Sequence, residues 1–562
     1  MRRIWTAAAL GAAGLLSACD GGSSNINLAD SRMTSGLVDL SAANAGLSPA
    51  QSQVTDGIRL ARQTTFGPTP EVLEKISKLG TEGWLDEQFA ARGSTYADLA
   101  VARRINTCND LPCSRRYYSR TPVAMRFYAN AVSAPDQLRQ RVAFALSQMI
   151  VASEVELRLT GGIAAFNQLF LDNAFGNYRT LLKSVTLNPY MGQYLNMAGS
   201  SKAAPSENYA RELLQLFSMG PNQLNLNGTL RRDASGASVP NYGPDDIRGI
   251  SRALTGWDRA RIGNAAITDA TAGDDVKPMI PVPERYDAGE KQFLGTRVPA
   301  GASQQASVDA VVDAAFNNPS TAPFVSRHLI VHLVTANPSP AYVGRVAAVF
   351  ANNGQGVRGD MKAVVRAILT DPEARAAPRG DRGKLKEPVL AMLGLARAIG
   401  LTTDGVAFVM RDTTLGQPVM RAPSVFNFYP IDYPLQGSTT LYSPASKLLN
   451  SSTVMRLHNF MYQWTVQTET STVEFQPYTG IVPASGTRFA WATWEAFGDN
   501  VDAMIAAVDV LMLGNSITPT QRVALRNAAL AIKDKNARTR ARKRAKLLLY
   551  LAGTSPQFLV DR

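Results

Sequence analysis

The chain has 562 residues, 45% of them hydrophobic and 18% charged, a composition that supplies a sizeable core and suits a globular body of two or three subdomains. After the first residues no apolar run reaches the 18 or so residues of a membrane-spanning helix, so the remaining chain is expected to be soluble. The formal net charge of +13, on a chain that reads as exported, favours anionic lipid or polysaccharide over nucleic acid as a partner, with simple solubility as the plainer account.

The first residues read as an export signal. Arg2 and Arg3 give a positive start, Ile4 to Leu16 an apolar run, and Leu16-Ser17-Ala18-Cys19 a small-residue ending. That ending resembles the bacterial lipobox, which implies removal of residues 1–18 and a lipid on Cys19. Asp20, by resemblance to enteric lipoproteins, implies retention at the periplasmic face of the inner membrane, with the outer membrane or cell surface as alternatives. Residues 19–53 are small and polar and read as a flexible tether with a reach of roughly 30–35 Å.

The body then divides into a main helical domain over 54–482 and a C-terminal helical unit over 483–562. Two helices are expected between 56 and 90, with Thr69 as a cap, Pro70 in the first helical position and a second helix around Trp84 to Phe89. Cys108 and Cys113, in a turn-rich loop outside the reducing cytoplasm, are expected to form one local disulfide that pins the loop. A redox role prefers two intervening residues, and here there are four. Segments 122–157 and 163–196 repeat apolar residues at helical spacing and are assigned to core helices.

The densest polar constellation is the helix expected over Ser206–Gly220. Tyr209, Leu213, Leu216 and Phe217 form an apolar stripe, and Glu207, Asn208, Arg211, Glu212 and Gln215 gather opposite it. Ser206 is the expected cap and Gly220 the stop. A second helix begins at Pro244 with Asp245 and Asp246 in its first turn and ends near Gly256, with Arg248 and Arg252 off its apolar face. Dipole complementation and i,i+3 pairing account for these charges more simply than catalysis does. The polar excursion 258–306, which carries Asp287, is expected to fold over the Ser206–Gly220 helix and to partly enclose its polar arc.

His328 and His332 stand four apart on one expected helix, the spacing of two ligands to one metal. The remaining histidine is His458, and Leu329 occupies the place of the glutamate in a His-Glu-x-x-His site, so no metal or other cofactor is expected. The aromatic, proline-rich stretch from Pro423 to Tyr442 reads as an ordered loop, either anchored in the core or stacking on sugars. Thr518 to Gln521 reads as a capping box. Lys533–Lys546 holds eight basic residues on one face of a helix, either solvated or in contact with anionic lipid.

Several separated motifs resemble, in order, the bacterial family termed domain of unknown function 1800. They are Arg59-Leu60-Ala61-Arg62-Gln63-Thr64-Thr65-Phe66-Gly67-Pro68-Thr69-Pro70, Glu207-Asn208-Tyr209-Ala210-Arg211-Glu212 and Arg252-Ala253-Leu254-Thr255-Gly256-Trp257. The series continues with Asn337 to Val343, Ile368 to Arg375 and Ala422-Pro423-Ser424-Val425-Phe426-Asn427-Phe428-Tyr429. The resemblance covers nearly the whole mature body. It implies a helical, exported protein whose genes often neighbour an exported family with an alkaline-phosphatase-like fold, domain of unknown function 1501. Phe217 and Tyr286 stand where many members carry histidine.

Mainly α architecture with long ordered loops and a lipidated N-terminal tether is therefore expected, with two functional classes in view. The first is a binding or assembly protein of the cell envelope. The second is a hydrolase or lyase acting on an envelope or extracellular polymer, with Glu207 or Glu212 as general acid or base, Asp287 or Asp245 as the opposing carboxylate and Arg211 as an anion clamp. Convergence of two carboxylates in a pocket favours the enzyme. Pairing of Glu207 with Arg211 on an open face favours the scaffold.

Overall fold

In the computed structural model, residues 49–101, 108–263, 272–377, 383–467, 475–476 and 485–562 are described. Cys19, the signal and most of the tether lie outside them, as does most of the expected domain boundary near 483. Helices dominate, and the strands among the described residues form four two-stranded antiparallel pairs. Among the described residues no helix is long and apolar enough to cross a membrane.

Local signals place many helix ends. Thr69 Oγ1 accepts from the Val72 amide at 3.3 Å and Pro70 opens the helix Pro70–Ala90, whose halves on either side of a kink at Gly80 are the two helices expected before residue 90, and Pro49–Thr64 is a further helix ahead of them. Thr518 and Gln521 exchange side-chain to backbone bonds at 3.2 and 3.0 Å, completing the capping box of Pro519–Ala531. Ser206 does not cap. Its helix starts one residue later and is shorter than expected, Asn208–Gln215, with Glu207 at the cap position and no side-chain cap bond.

One apolar cluster runs from Leu60 to Phe558 and takes in core residues on both sides of the expected boundary. Its axis is a pair of helices that the polar pattern understated. Pro388–Ile399 is buried along its whole length, as a helix apolar on all sides must be. Gln137–Met149 is buried almost throughout although it carries Arg139, Gln140, Arg141 and Gln148. The molecule is thus organised around these two helices and not around Asn208–Gln215, which lies at the edge of the core with Tyr209, Leu213 and Leu214 inward.

The C-terminal segment is stitched back by strand pairing. Leu401–Thr403 pairs with Thr487–Phe489, and Lys384–Leu385 with Val560–Asp561. Five of the six cations of its basic helix, Ala537–Gly553, form ion pairs, shared among three acids. Arg538 and Arg542 pair with Glu495, Arg540 and Arg544 with Asp499, and Lys543 with Asp534. The positive face expected from the sequence is therefore partly offset within the unit, three acids standing against its eight basic residues.

A buried ion pair joins distant parts of the core. Arg120 donates two bonds to Asp412, at 2.6 and 2.7 Å, tying the start of Thr121–Ser133 to the end of Val406–Asp412. The two helices approach closely at Gly405, whose φ of +92° suits glycine and whose absent side chain leaves room for the Met125 carbonyl. Because Asp412 is fully buried, Asp412→Ala strands an arginine in the interior. The expected cost is about 3–5 kcal/mol of unfolding free energy, measured by denaturant titration.

Candidate functional site

Three of the four carboxylates singled out in the sequence, Glu207, Asp245 and Asp287, are each committed to a separate arginine. Arg211 donates to Glu207 at 2.5 Å, one helical turn away, with the two side chains 51% and 37% exposed. Asp245 pairs with Arg248 on an open face. Asp287 accepts from Arg252 at 2.7 and 3.3 Å, and that guanidinium holds its carboxyl below the usual range. Asn208 donates to the Asn196 side chain at 2.8 Å. Among the described residues no ion pair or hydrogen bond joins Asp287 or Asp245 to the Glu207–Glu212 segment. The excursion carrying Asp287 anchors instead on the helix Pro244–Ala253, where Asp246 accepts from the Leu294 amide at 2.6 Å and Gly249 packs under the Gln292 carbonyl.

Glu212 differs from its neighbours. It is half-buried, burial pushes its carboxyl upward, and its Oε2 is enclosed without a hydrogen-bond partner. Its charge also contributes to raising the Tyr194 hydroxyl, which burial pushes up to about 12. Cys108 and Cys113 are joined, with Asp110 capping the helix Leu111–Tyr117 by accepting from the Cys113 amide at 2.7 Å. The bridge pins this loop locally, as expected.

The principal cavity lies elsewhere. A space of about 530 Å³ opens between the helix Thr321–Leu333, the chain from Gln215 to Leu230 and the strap from Val425 to Asp432. Its walls are mostly apolar, including Leu216, Met219, Phe324, Val425, Phe426 and Ile431. The polar lining is small and largely fixed in place. Asn427, in the left-handed region at φ 61°, donates from Nδ2 to the Gln148 carbonyl at 3.0 Å. Tyr429 donates its hydroxyl to Glu387 Oε2 at 2.5 Å, and Gln148 Nε2 donates to Glu387 Oε1 at 3.3 Å.

Both histidines of the expected pair line this cavity. His328 Nδ1 bonds the Phe324 carbonyl at 2.9 Å, and since a carbonyl only accepts, that nitrogen carries the proton and Nε2 is left as an acceptor. Burial lowers its pKa to about 4. His332 is pushed well below its ordinary value by burial, then by His328, Lys384 and Arg141. Lys384 donates to the His332 carbonyl, and burial brings its ammonium down to about 7. Both rings are therefore neutral at pH 7. Among the described residues no group of three or more histidines, cysteines or acids assembles for a metal.

A family model described as "Protein of unknown function (DUF1800)" matches residues 59–560. The chain belongs to the DUF1800 family. No curated protein and no solved structure matches it. In this DUF1800 chain the positions occupied by Phe217 and Tyr286 are structural. Phe217 is fully buried, and the Tyr286 hydroxyl lies 2.6 Å from Ser307 Oγ and accepts from Lys291 at 3.1 Å.

The cavity was hard to see beforehand because its parts come from residues 148, 215–230, 324–332 and 425–432. Two of its signals were nonetheless in the sequence: the histidine pair, and the aromatic stretch Ala422–Tyr429 beside buried amides. The neutral state of His328 has a measurable consequence. With a folded value of about 4 against an ordinary 6.5, the unfolded chain takes up the proton first as pH falls, so this contribution is complete above about 6.5 and is lost between there and 4. His328→Gln is expected to flatten that part of the stability profile relative to wild type, as read by thermal denaturation at stepped pH.

Proposed function

We propose that this DUF1800 protein is a lipid-anchored binding or assembly protein of the cell envelope, tethered through Cys19 at the periplasmic face of the inner membrane, with the cavity beside Thr321–Leu333 as its ligand site. One contrast carries the reading. Glu207, Asp245 and Asp287 are each spent on an arginine of their own, whereas Asn427, Tyr429 and Gln148 are locked by buried hydrogen bonds around a pre-formed, mainly apolar space. Hydrolysis by paired carboxylates needs two acids facing across a bond. Ligand binding needs a concave, mostly apolar, pre-organised cavity of a few hundred Å³, which is the arrangement present.

The tether, with its reach of roughly 30–35 Å, lets the body work clear of the headgroups while staying close to membrane-borne partners. Those partners include anionic polysaccharide and the exported alkaline-phosphatase-like proteins of the domain of unknown function 1501 family. A hydrolase or lyase reading retains one supporting observation: Glu212, half-buried with its carboxyl raised and one oxygen unbonded, suits a general acid.

The test is photo-crosslinking in cells that make the full chain, with the reactive residue replacing Phe426 at the cavity mouth or Arg211 on the carboxylate helix. Adducts from position 426 that disappear in the Cys19→Ser background, and none from 211, are expected. Adducts from 211 alone would return the contact surface to the carboxylate helix, and none from either would overturn the binding role.

A further inference from the structure

The chemistry of the cavity wall narrows the class of ligand, on the reading above that the cavity is a ligand site. Arg327 lines it, half-buried, with its guanidinium 5.6 Å from the Tyr442 ring centre. Among the described residues Arg327 has no ion pair and donates no hydrogen bond, whereas the arginines of the carboxylate helices are all paired. The neighbouring His328 and His332, being neutral, add no positive charge of their own beside Arg327. Asp432, the remaining charged group of the lining, is exposed, where water screens it. The cavity therefore presents a guanidinium without an ion pair to a mostly apolar space, with the exposed Asp432 as the other charged group of its lining.

The apolar surface also continues outward. Leu230 and Phe426 line the cavity yet are 43% and 56% exposed, and Leu226, on the same turn as Leu230, is 49% exposed. Exposed large apolar side chains gathered at the rim of an apolar cavity mark a binding surface more often than singly scattered ones do. A neutral oligosaccharide would leave the Arg327 charge unanswered and would meet walls that are mostly apolar. An alkyl chain with a single anionic end satisfies both features at once.

We propose that the cavity holds a single-chain fatty carboxylate, its alkyl chain against Leu216, Met219, Phe324 and Phe426 and its carboxylate on Arg327. The planar guanidinium matches a carboxylate with two parallel bonds. Chain length adds affinity at roughly fourfold for each buried methylene.

Isothermal titration of the full chain in detergent-free buffer tests this with octanoate, decanoate, decan-1-ol and decyl phosphate as probes. Decanoate is expected to bind at one per chain, at least tenfold more tightly than octanoate and than decan-1-ol. Arg327→Met is expected to weaken decanoate about tenfold and to leave decan-1-ol unchanged, while Arg327→Lys, which keeps the charge, recovers part of the loss. Circular dichroism verifies that the variants are folded, and should Arg327→Met unfold, the acid-to-alcohol ratio on the wild-type chain decides alone. Equal binding of acid and alcohol, or an Arg327→Met chain with undiminished decanoate affinity, would overturn the carboxylate assignment while leaving the cavity as a ligand site. Tighter binding of decyl phosphate than of decanoate would overturn it in favour of a phosphate-headed lipid. Absence of binding by every alkyl probe would overturn the inference, and adducts from position 426 in cells would then show whether the cavity still serves another ligand.

Discussion

The interior of this protein depends on one buried carboxylate. Glu387 is 4% exposed, and a charge so enclosed persists only if its oxygens are answered by donors. Tyr429 and Gln417 both donate to Oε2 at 2.5 Å, and Gln148 donates to Oε1. These donors come from the strap, from the turn before it and from the central helix Gln137–Met149. The Glu387 side chain sits at the cap position of Pro388–Ile399 without capping it, and Gln417 supplies the missing acceptor to the Val389 amide at 3.0 Å. One acid thus locks the two axial helices and a non-helical strap together.

That lock explains why the cavity is where it is. A proline-rich, aromatic segment has no ladder of backbone hydrogen bonds to fix its shape, so its course is set by side chains inserted into the core. Asn427 and Tyr429 are those side chains, and Phe426, just before them, is left outward at the cavity mouth. Beneath the strap, Arg141, Lys384 and Lys386 are buried cations whose pKa values fall through desolvation, the largest cause in each. Lys386 bonds the Phe558 carbonyl at 2.5 Å and lies 3.2 Å from Asp561. Residues near 560 are thereby drawn into the same buried polar layer as Lys384 and Glu387.

The sequence was most legible where the physics is local. The Thr69 and Thr518 caps, the disulfide of Cys108 and Cys113, and the mainly helical class all follow from spacing, turn chemistry or composition. The site was less legible because charge density is a poor guide to function. Glu207 and Arg211 stand out on a helical wheel, yet an exposed i,i+4 pair contributes little and its residues are cheaply solvated. Gln148, Asn427 and Glu387 are unremarkable one at a time and acquire meaning only when tertiary contacts some 240–280 residues apart bring them within hydrogen-bond distance. The helix Gln137–Met149 was assigned to the core from its apolar positions, but its buried Arg141 and Gln148 became interpretable only with their partners.

The measurement that bears most directly on this account is amide hydrogen exchange of the full chain with Glu387 replaced by Gln, compared with wild type. Removing the charge leaves the shape of the side chain but weakens the acceptor of Tyr429 and Gln417. If Glu387 fixes the wall of the site, exchange across residues 422–432 accelerates at least tenfold while Thr121–Ser133 and Pro340–Ala351 keep their protection. Unchanged exchange across the strap would contradict the account, since the cavity wall would then owe its position to something other than the buried carboxylate.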